Sequence, residues 1–258
     1  DGRLYQVTDE SGKYFIEPIG DMTGWTEISH RQNNTLNQHA FGICNGRLYS
    51  ICNKVVTEIG AGIATSGWSK LGCGGYDYST AYHYAICNAK LYAINYATGE
   101  AVVTQVGSQI GWTFIVDSSD TSNNQPDYAY GICNGNLWAL RGTTATQVGN
   151  LSTWTTVSEG SYTLSGYGRP SVGIAGGALY LLYGTSAYLI DNTRNWTHVT
   201  GYPTGDCNAI ADGKLFYIEM DAVTGTPNVS NITVTETNSD YITWTDMVRG
   251  MALANDTA

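Results

Sequence analysis

Short apolar stretches alternate with polar punctuation along the whole chain. Phe41 to Ile51 reads FGICNGRLYSI, Tyr84 to Ile94 reads YAICNAKLYAI, and Ala129 to Leu140 reads AYGICNGNLWAL. In each, apolar and small residues alternate along the stretch, which is the pattern of short strands. Asn45-Gly46 and Asn134-Gly135 interrupt two of the stretches at the middle. Asn-Gly between two strands is the strongest short hairpin signal, because both residues tolerate positive φ. Each stretch therefore predicts two strands and a tight turn. No segment carries a helical period of useful length.

The same element recurs. Gly-x-Leu-Tyr and its variants place Leu at 4, 48, 91, 137, 179 and 215. A second marker keeps step with it: Trp25, Trp68, Trp112, Trp154, Trp196 and Trp244 each precede Thr or Ser. The unit is roughly 43 residues long and reads as four short strands. In one copy these are YAYGICN, NLWALRG, TATQVGN and STWTTVS. Six copies predict an all-β fold, a six-bladed β-propeller with four antiparallel strands per blade, formed by residues 1–258 as a single domain. The first residues, DGRLYQV, align with the second strand of a unit, and the last, RGMALANDTA, align with a first strand. The C-terminal strand is therefore expected to close blade 1 and leave no free edge. Met220 to Asp240 is the least regular stretch.

Charge narrows the partners. The chain has 22 Asp and Glu against 12 Lys and Arg, a net charge of −10. That argues against a nucleic-acid partner, because affinity for a phosphate backbone rests largely on clustered Lys and Arg. No run of about 18 apolar residues is present to span a membrane as a helix. No charged-then-apolar leader precedes the repeats, so the chain reads as mature or as excised from a longer one. Charged residues make up only 13% of the chain, and the polarity comes from Tyr, Thr, Asn, Ser and Gly instead, a mixture that suits sheets and turns.

Several residues invite chemistry and are better read as structure. Cys44, Cys87 and Cys133 occupy one repeat position, which holds Ala175, Ala211 and Ala254 in the other copies. A position that accepts Cys or Ala wants a small apolar group, so these three read as buried free thiols. Cys52 and Cys73 follow two strands of one unit, and a bridge between them is left open. The six Trp read as seals between adjacent sheets rather than as a ligand ladder. The four His have no metal-binding spacing, no Cys-x-x-Cys is present, and no Gly-x-Ser-x-Gly elbow occurs. Asp117 to Asp127, DSSDTSNNQPD, lacks EF-hand spacing and reads as a solvated loop. No cofactor or metal is expected. The first strand of each unit, taken as the one nearest the propeller axis, offers only Ile, Cys, Ala and Gly. On that ground the chain is expected not to be an enzyme.

Variation concentrates after the Trp strand. The connections there read SHRQNNTLNQHA, GCGGYDYSTAYHY, VDSSDTSNNQPDYA, SEGSYTLSGYGRPS and TGYPTGDC. They are taken to link one blade to the next and to share a face with the loops between the second and third strands. Tyr supplies rigid amphipathic contact there, while Ser, Gly and Asn supply adaptable hydrogen bonds. A fixed frame with a variable polar and aromatic face suggests a binding module. Sugars present C–H faces to aromatic rings and hydroxyls to amides and carboxylates. The expected ligand-binding residues are Tyr76, Tyr78, Tyr82, Tyr162, Tyr167 and Tyr202, with Asp77 and Asn124 as polar partners. A surface protein is the rival partner.

FGICNGRLY and GWTEI, taken together, resemble the tectonin repeat, in which a hydrophobic-Gly-hydrophobic-x-Asn segment precedes an Ile-Tyr strand and a Trp follows. The resemblance covers nearly the whole chain. Phe or Tyr stands where those repeats carry Trp before the Gly, and the connections are longer. Tectonin-like and tachylectin-like proteins are six-bladed propellers that often bind surface glycans, so the resemblance implies glycan recognition at an extracellular, cell-surface or virion location. The repeat style is also similar to propellers of bacterial surface and phage virion proteins, which implies a structural or protein-interaction module as the alternative.

Overall fold

The computed structural model describes residues 2–11, 13–29, 40–73, 82–95, 100–116, 128–158, 171–201, 207–220 and 229–237. They form two compact units. The first comprises Asp1–Thr121, Asp127–Asn134 and Trp138–Thr146; the second comprises Ser122–Pro126, Gly135–Leu137 and Gln147–Ala258.

The first unit opens with a two-stranded sheet of β1 (Arg3–Glu10) and β2 (Lys13–Thr23). Next come four-stranded antiparallel sheets. One contains β3 (Trp25–Ile28), β4 (Ala40–Cys44), β5 (Arg47–Cys52) and β6 (Val55–Glu58), in that order. The next contains β7 (Trp68–Cys73), β8 (Tyr82–Cys87), β9 (Lys90–Asn95) and β10 (Val102–Gln105). The third contains β11 (Trp112–Val116), β12 (Ala129–Cys133), β13 (Asn136–Arg141) and β14 (Thr144–Gln147). The second unit has two more. These are β15 (Trp154–Val157), β16 (Ser171–Ala175), β17 (Ala178–Tyr183) and β18 (Ser186–Asp191), then β19 (Trp196–Gly201), β20 (Cys207–Ala211), β21 (Lys214–Met220) and β22 (Ile232–Glu236).

The all-β expectation holds, but the phase of the repeat does not. Each Trp strand pairs with the Gly-Ile-Cys strand that follows it in sequence: Trp25 lies opposite Cys44, Trp68 opposite Cys87 and Trp112 opposite Cys133. The Trp strand therefore begins a sheet rather than ending one. The long connections join the first and second strands of a single sheet and do not link one sheet to the next. The closing segment RGMALANDTA lies outside the described residues.

The Trp-Thr/Ser pair now has a physical reason. Among the described residues, pairing slips immediately after each of the five repeat Trp, from Trp25 to Trp196, where a bulge leaves the residue after Trp out of register. A bulge disrupts the local ladder. The hydroxyl that follows the Trp makes up the loss: Thr26 Oγ1 donates to the Ile43 carbonyl at 3.4 Å, and Ser69, Thr113, Thr155 and Thr197 do the same to Ile86, Ile132, Ile174 and Ile210.

The indole rings seal sheets, as the sequence suggests. Trp68 joins Ala85, Cys87, Tyr92 and Ile94 of its own sheet to Phe41, Ile43 and Leu48 of the preceding one. Trp112 does the same against Tyr84, Ile86 and Leu91. Each ring lies over the second strand of its sheet and packs on an aromatic of the third. The centroid distances are 5.2 Å for Trp68–Tyr92, 5.9 Å for Trp112–Trp138 and 5.1 Å for Trp196–Phe216. A Cβ at Gly131 would stand 2.8 Å from the Trp112 ring, so the missing side chain is what admits the indole.

The tight turns lock successive sheets together. Asn45 (φ 50°) and Gly46 (φ 70°) form the turn between β4 and β5, as do Asn88 (φ 49°) and Ala89 (φ 59°) between β8 and β9. The carbonyl at the second turn position accepts the amide of the next Trp: Trp68 N to Gly46 O is 3.0 Å, Trp112 N to Ala89 O is 3.0 Å, and Trp196 N to Gly177 O is 2.9 Å. The Asn at the first position holds the segment entering its own sheet. Asn134 Nδ2 donates to Ile110 O at 2.8 Å, and Asn45 Nδ2 to Thr23 O at 2.9 Å.

Cys44, Cys87 and Cys133 are buried thiols outside any disulfide, as expected, and burial pushes each above its ordinary range. Cys52 is also a thiol outside any disulfide; the Cys73 side chain lies outside the described residues.

One sheet departs from its neighbours at the indole N–H. Trp196 Nε1 donates to Asp191 Oδ2 at 3.0 Å. The same carboxylate accepts from Arg194 at 2.7 Å, from the Thr193 amide at 2.9 Å and from its hydroxyl at 2.6 Å. Burial alone would raise the Asp191 pKa, but these donors outweigh it and hold the group at about 2. A carboxylate depressed in the folded state contributes stability above its unfolded pKa and loses it as pH falls through the folded one. Asp191→Asn should therefore cost about 2 kcal/mol near neutral pH, with the gap to the parent closing between about pH 4 and pH 2. Urea unfolding of both chains across that range checks it; a gap that does not change with pH would remove the carboxylate's charge from the account.

Candidate functional site

Of the eight expected ligand-binding residues, Tyr76, Asp77, Tyr78, Asn124, Tyr162, Tyr167 and Tyr202 lie outside the described residues. Tyr82 is described. It is the first residue of β8, where the long connection rejoins its sheet, and it is half-buried. It packs with Trp138 and Ala145 against the cluster built around Tyr84 and Trp112.

The stems of two long connections are tied shut. Ser29 N donates to Phe41 O at 2.8 Å, and Phe41 N donates back to Ser29 Oγ at 2.9 Å. Ser158 and Val172 repeat the exchange at 2.7 and 2.9 Å. Both serines are buried. The connections thus leave from and return to a rigid frame, whatever their own residues do.

A second set of polar groups was missed in the sequence. The Trp strands of successive sheets lie side by side, β3 against β7 and β7 against β11 in the first unit, β15 against β19 in the second. Within each unit it is thus the Trp strands, not the Gly-Ile-Cys strands, that come together from sheet to sheet. Their third residues in the first unit are Glu27, Lys70 and Phe114, flanked by the exposed hydroxyls of Thr26, Ser69 and Thr113. Lys70 Nζ meets Glu27 Oε1 at 2.7 Å across two sheets. In the second unit the row holds Thr155, Thr156, Thr197 and His198, with His198 Nδ1 3.1 Å from Thr197 Oγ1. The signal was present in the sequence as Trp-Thr-Glu, Trp-Ser-Lys and Trp-Thr-His, but it pointed to this row only once the strand phase was known. Among the described residues, no group of three or more His, Cys, Asp or Glu is placed to hold a metal ion.

No protein-family model matches the chain, and no curated protein sequence matches it. Solved structures do. The WD40 domain of SCAP from fission yeast is similar at a TM-score of 0.57 and 9% identity, over 93% of this chain and 59% of that one. An oligogalacturonate lyase in complex with manganese is similar at 0.52 and 11% identity, over 89% of this chain and 69% of that one. The oligogalacturonate lyase of Vibrio parahaemolyticus is similar at 0.52 and 9% identity, over 94% and 76%. At such identities the likeness is one of fold, and the fold is that of the β-propeller. It corrects one expectation. Catalysis was set aside because the strands taken as innermost were bare of polar groups. Two of these likenesses are lyases, and the Trp strands carry Glu27 and Lys70 in the first unit and His198 in the second, so that exclusion does not stand.

Proposed function

We propose that this chain is a recognition module that binds a surface-exposed glycan where the long connections join the first and second strands of its sheets. The observation that carries the reading is the contrast between frame and connections. Tight turns and bulges repeat from sheet to sheet and two of the stems are tied alike, while the connections differ in every copy and are rich in Tyr, Asn, Ser, Gly and Asp. The likeness of the repeat to tectonin repeats supports the same class of ligand and an extracellular, cell-surface or virion setting. In this reading, the segment RGMALANDTA adds the strand that completes the sheet of β1 and β2, whose Val7 and Ile16 are otherwise 60% and 67% exposed.

The test is a glycan array of neutral and uronate-containing oligosaccharides, probed with the parent chain and with Tyr78→Ala, Tyr82→Ala and Tyr167→Ala. Every hit is also incubated with the protein and examined for cleavage. Selective binding should fall about fivefold to tenfold for each tyrosine that stacks on the sugar, the effect of roughly 1–1.4 kcal/mol of lost contact. A blank array with a folded protein would overturn the glycan reading in favour of a protein partner.

A further inference from the structure

Tyr82 and Tyr84 are two apart on β8 and so face the same side of the sheet. Both reach one residue of the neighbouring sheet, Gly142, in the turn between β13 and β14. Tyr84 Oη donates to the Gly142 carbonyl at 3.0 Å. The Tyr82 ring lies over the same glycine: a Cβ there would stand 3.5 Å from Cε2 and 3.6 Å from Cζ. Gly142 has φ +57°, the left-handed conformation that favours a residue without a side chain. Tyr84 is fully buried, and burial pushes its hydroxyl well above the ordinary range, so it stays protonated as a donor.

We infer that Gly142 and Tyr84 are positioning residues for Tyr82, and that Tyr82 so held is a stacking platform for a sugar ring built across two neighbouring sheets. This deepens the proposed function and rests on it for the identity of the ligand. The Tyr84–Gly142 bond fixes the height of the turn beneath the Tyr82 ring. The glycine leaves room beneath the ring that a methyl would fill at ordinary contact distance, and the part of Tyr82 that is not buried takes the C–H face of a pyranose. Ordering the ring before the ligand arrives lowers the entropy lost on binding.

Two substitutions should act on the Tyr82 ring in opposite directions. Tyr84→Phe removes the bond to Gly142 and frees the turn; Tyr82 ring flipping, read by NMR on ring-labelled tyrosine, should accelerate about tenfold or more. Gly142→Ala keeps the carbonyl but sets a methyl beneath the ring; flipping should slow, even though the left-handed φ lowers the melting temperature. A merely destabilising change would accelerate both. Affinity for an array-positive glycan should fall at least about threefold in Tyr84→Phe. Unchanged ring flipping in both variants, or acceleration in both, would overturn the inference. So would an unchanged affinity in Tyr84→Phe when Tyr82→Ala abolishes binding. A parent chain that binds no glycan while the opposite ring effects remain would sink the ligand assignment and the proposed function, and leave the positioning of Tyr82 standing.

Discussion

Trp112→Ala is expected to lower the unfolding free energy by about 3–5 kcal/mol, the usual range for removing a fully buried Trp. The ring is 2% exposed and packs on Trp138 within its own sheet. Its removal also withdraws a wall from Tyr84, Ile86 and Leu91 of the sheet before it. The space left is bounded by strands whose spacing the backbone ladders fix, so little of it can collapse. Trp25→Ala should cost clearly less, because that ring is only half-buried and its neighbouring sheet has two described strands rather than four. Urea titration of both variants, comparing midpoint and slope, reads the difference. Equal losses at the two positions would mean that the indole contributes through its own sheet and not through the seam.

Gly111→Thr is the second large effect, a loss of about 2–4 kcal/mol from left-handed strain and a displaced hydrogen bond. Gly111 has φ +107°, and a Cβ there would fall 2.1 Å from Asn134 Oδ1. The substitution therefore drives the Asn134 amide off the Ile110 carbonyl. The chain itself contains the compensated form. In the second unit, Thr153 stands before Trp154 and Gly176 takes the turn position, with the same backbone bond from Gly176 N to Thr153 O at 3.1 Å. A Cβ at Gly176 would lie 3.1 Å from the Thr153 hydroxyl. In both of these pairs, Gly111 with Asn134 and Thr153 with Gly176, only one member carries a side chain into the space between them. Gly111→Thr with Asn134→Gly should thus cost less than the sum of the single changes, by about 1 kcal/mol or more. Strict additivity in that cycle would show that the two residues do not share the space.

Much of the frame was legible from the residues. The turns at Asn45-Gly46 and Asn134-Gly135, the small apolar position of Cys44, Cys87 and Cys133, and the sealing role of the indoles all follow from local chemistry repeated at one period. What a period cannot supply is its own phase. A chain of four-strand units reads identically whichever strand is counted first, and only the pairing of Trp25 with Cys44 decides it. From that one ambiguity came both the misplaced connections and the choice of the apolar strands as innermost, since Glu27, Lys70 and His198 belong to the strand that had been counted last. The candidate site was legible as a composition rather than as a geometry. Tyr82 alone among its residues can be followed to its contacts, and those contacts lie on a neighbouring sheet about 60 residues further along the chain, a distance over which no local pattern carries information.

The bond from each Trp amide to the preceding turn has a direction. Gly46 offers its carbonyl to Trp68, and Ala89 offers its own to Trp112, so the acceptor is always the earlier residue. During synthesis from the N-terminus, a finished sheet therefore presents a docking point before the first strand of the next has a partner of its own. Each Trp strand is then expected to dock on the sheet already made before its long connection is complete, so that a fault in one turn should delay the sheets that come after it in the same unit while sparing those before.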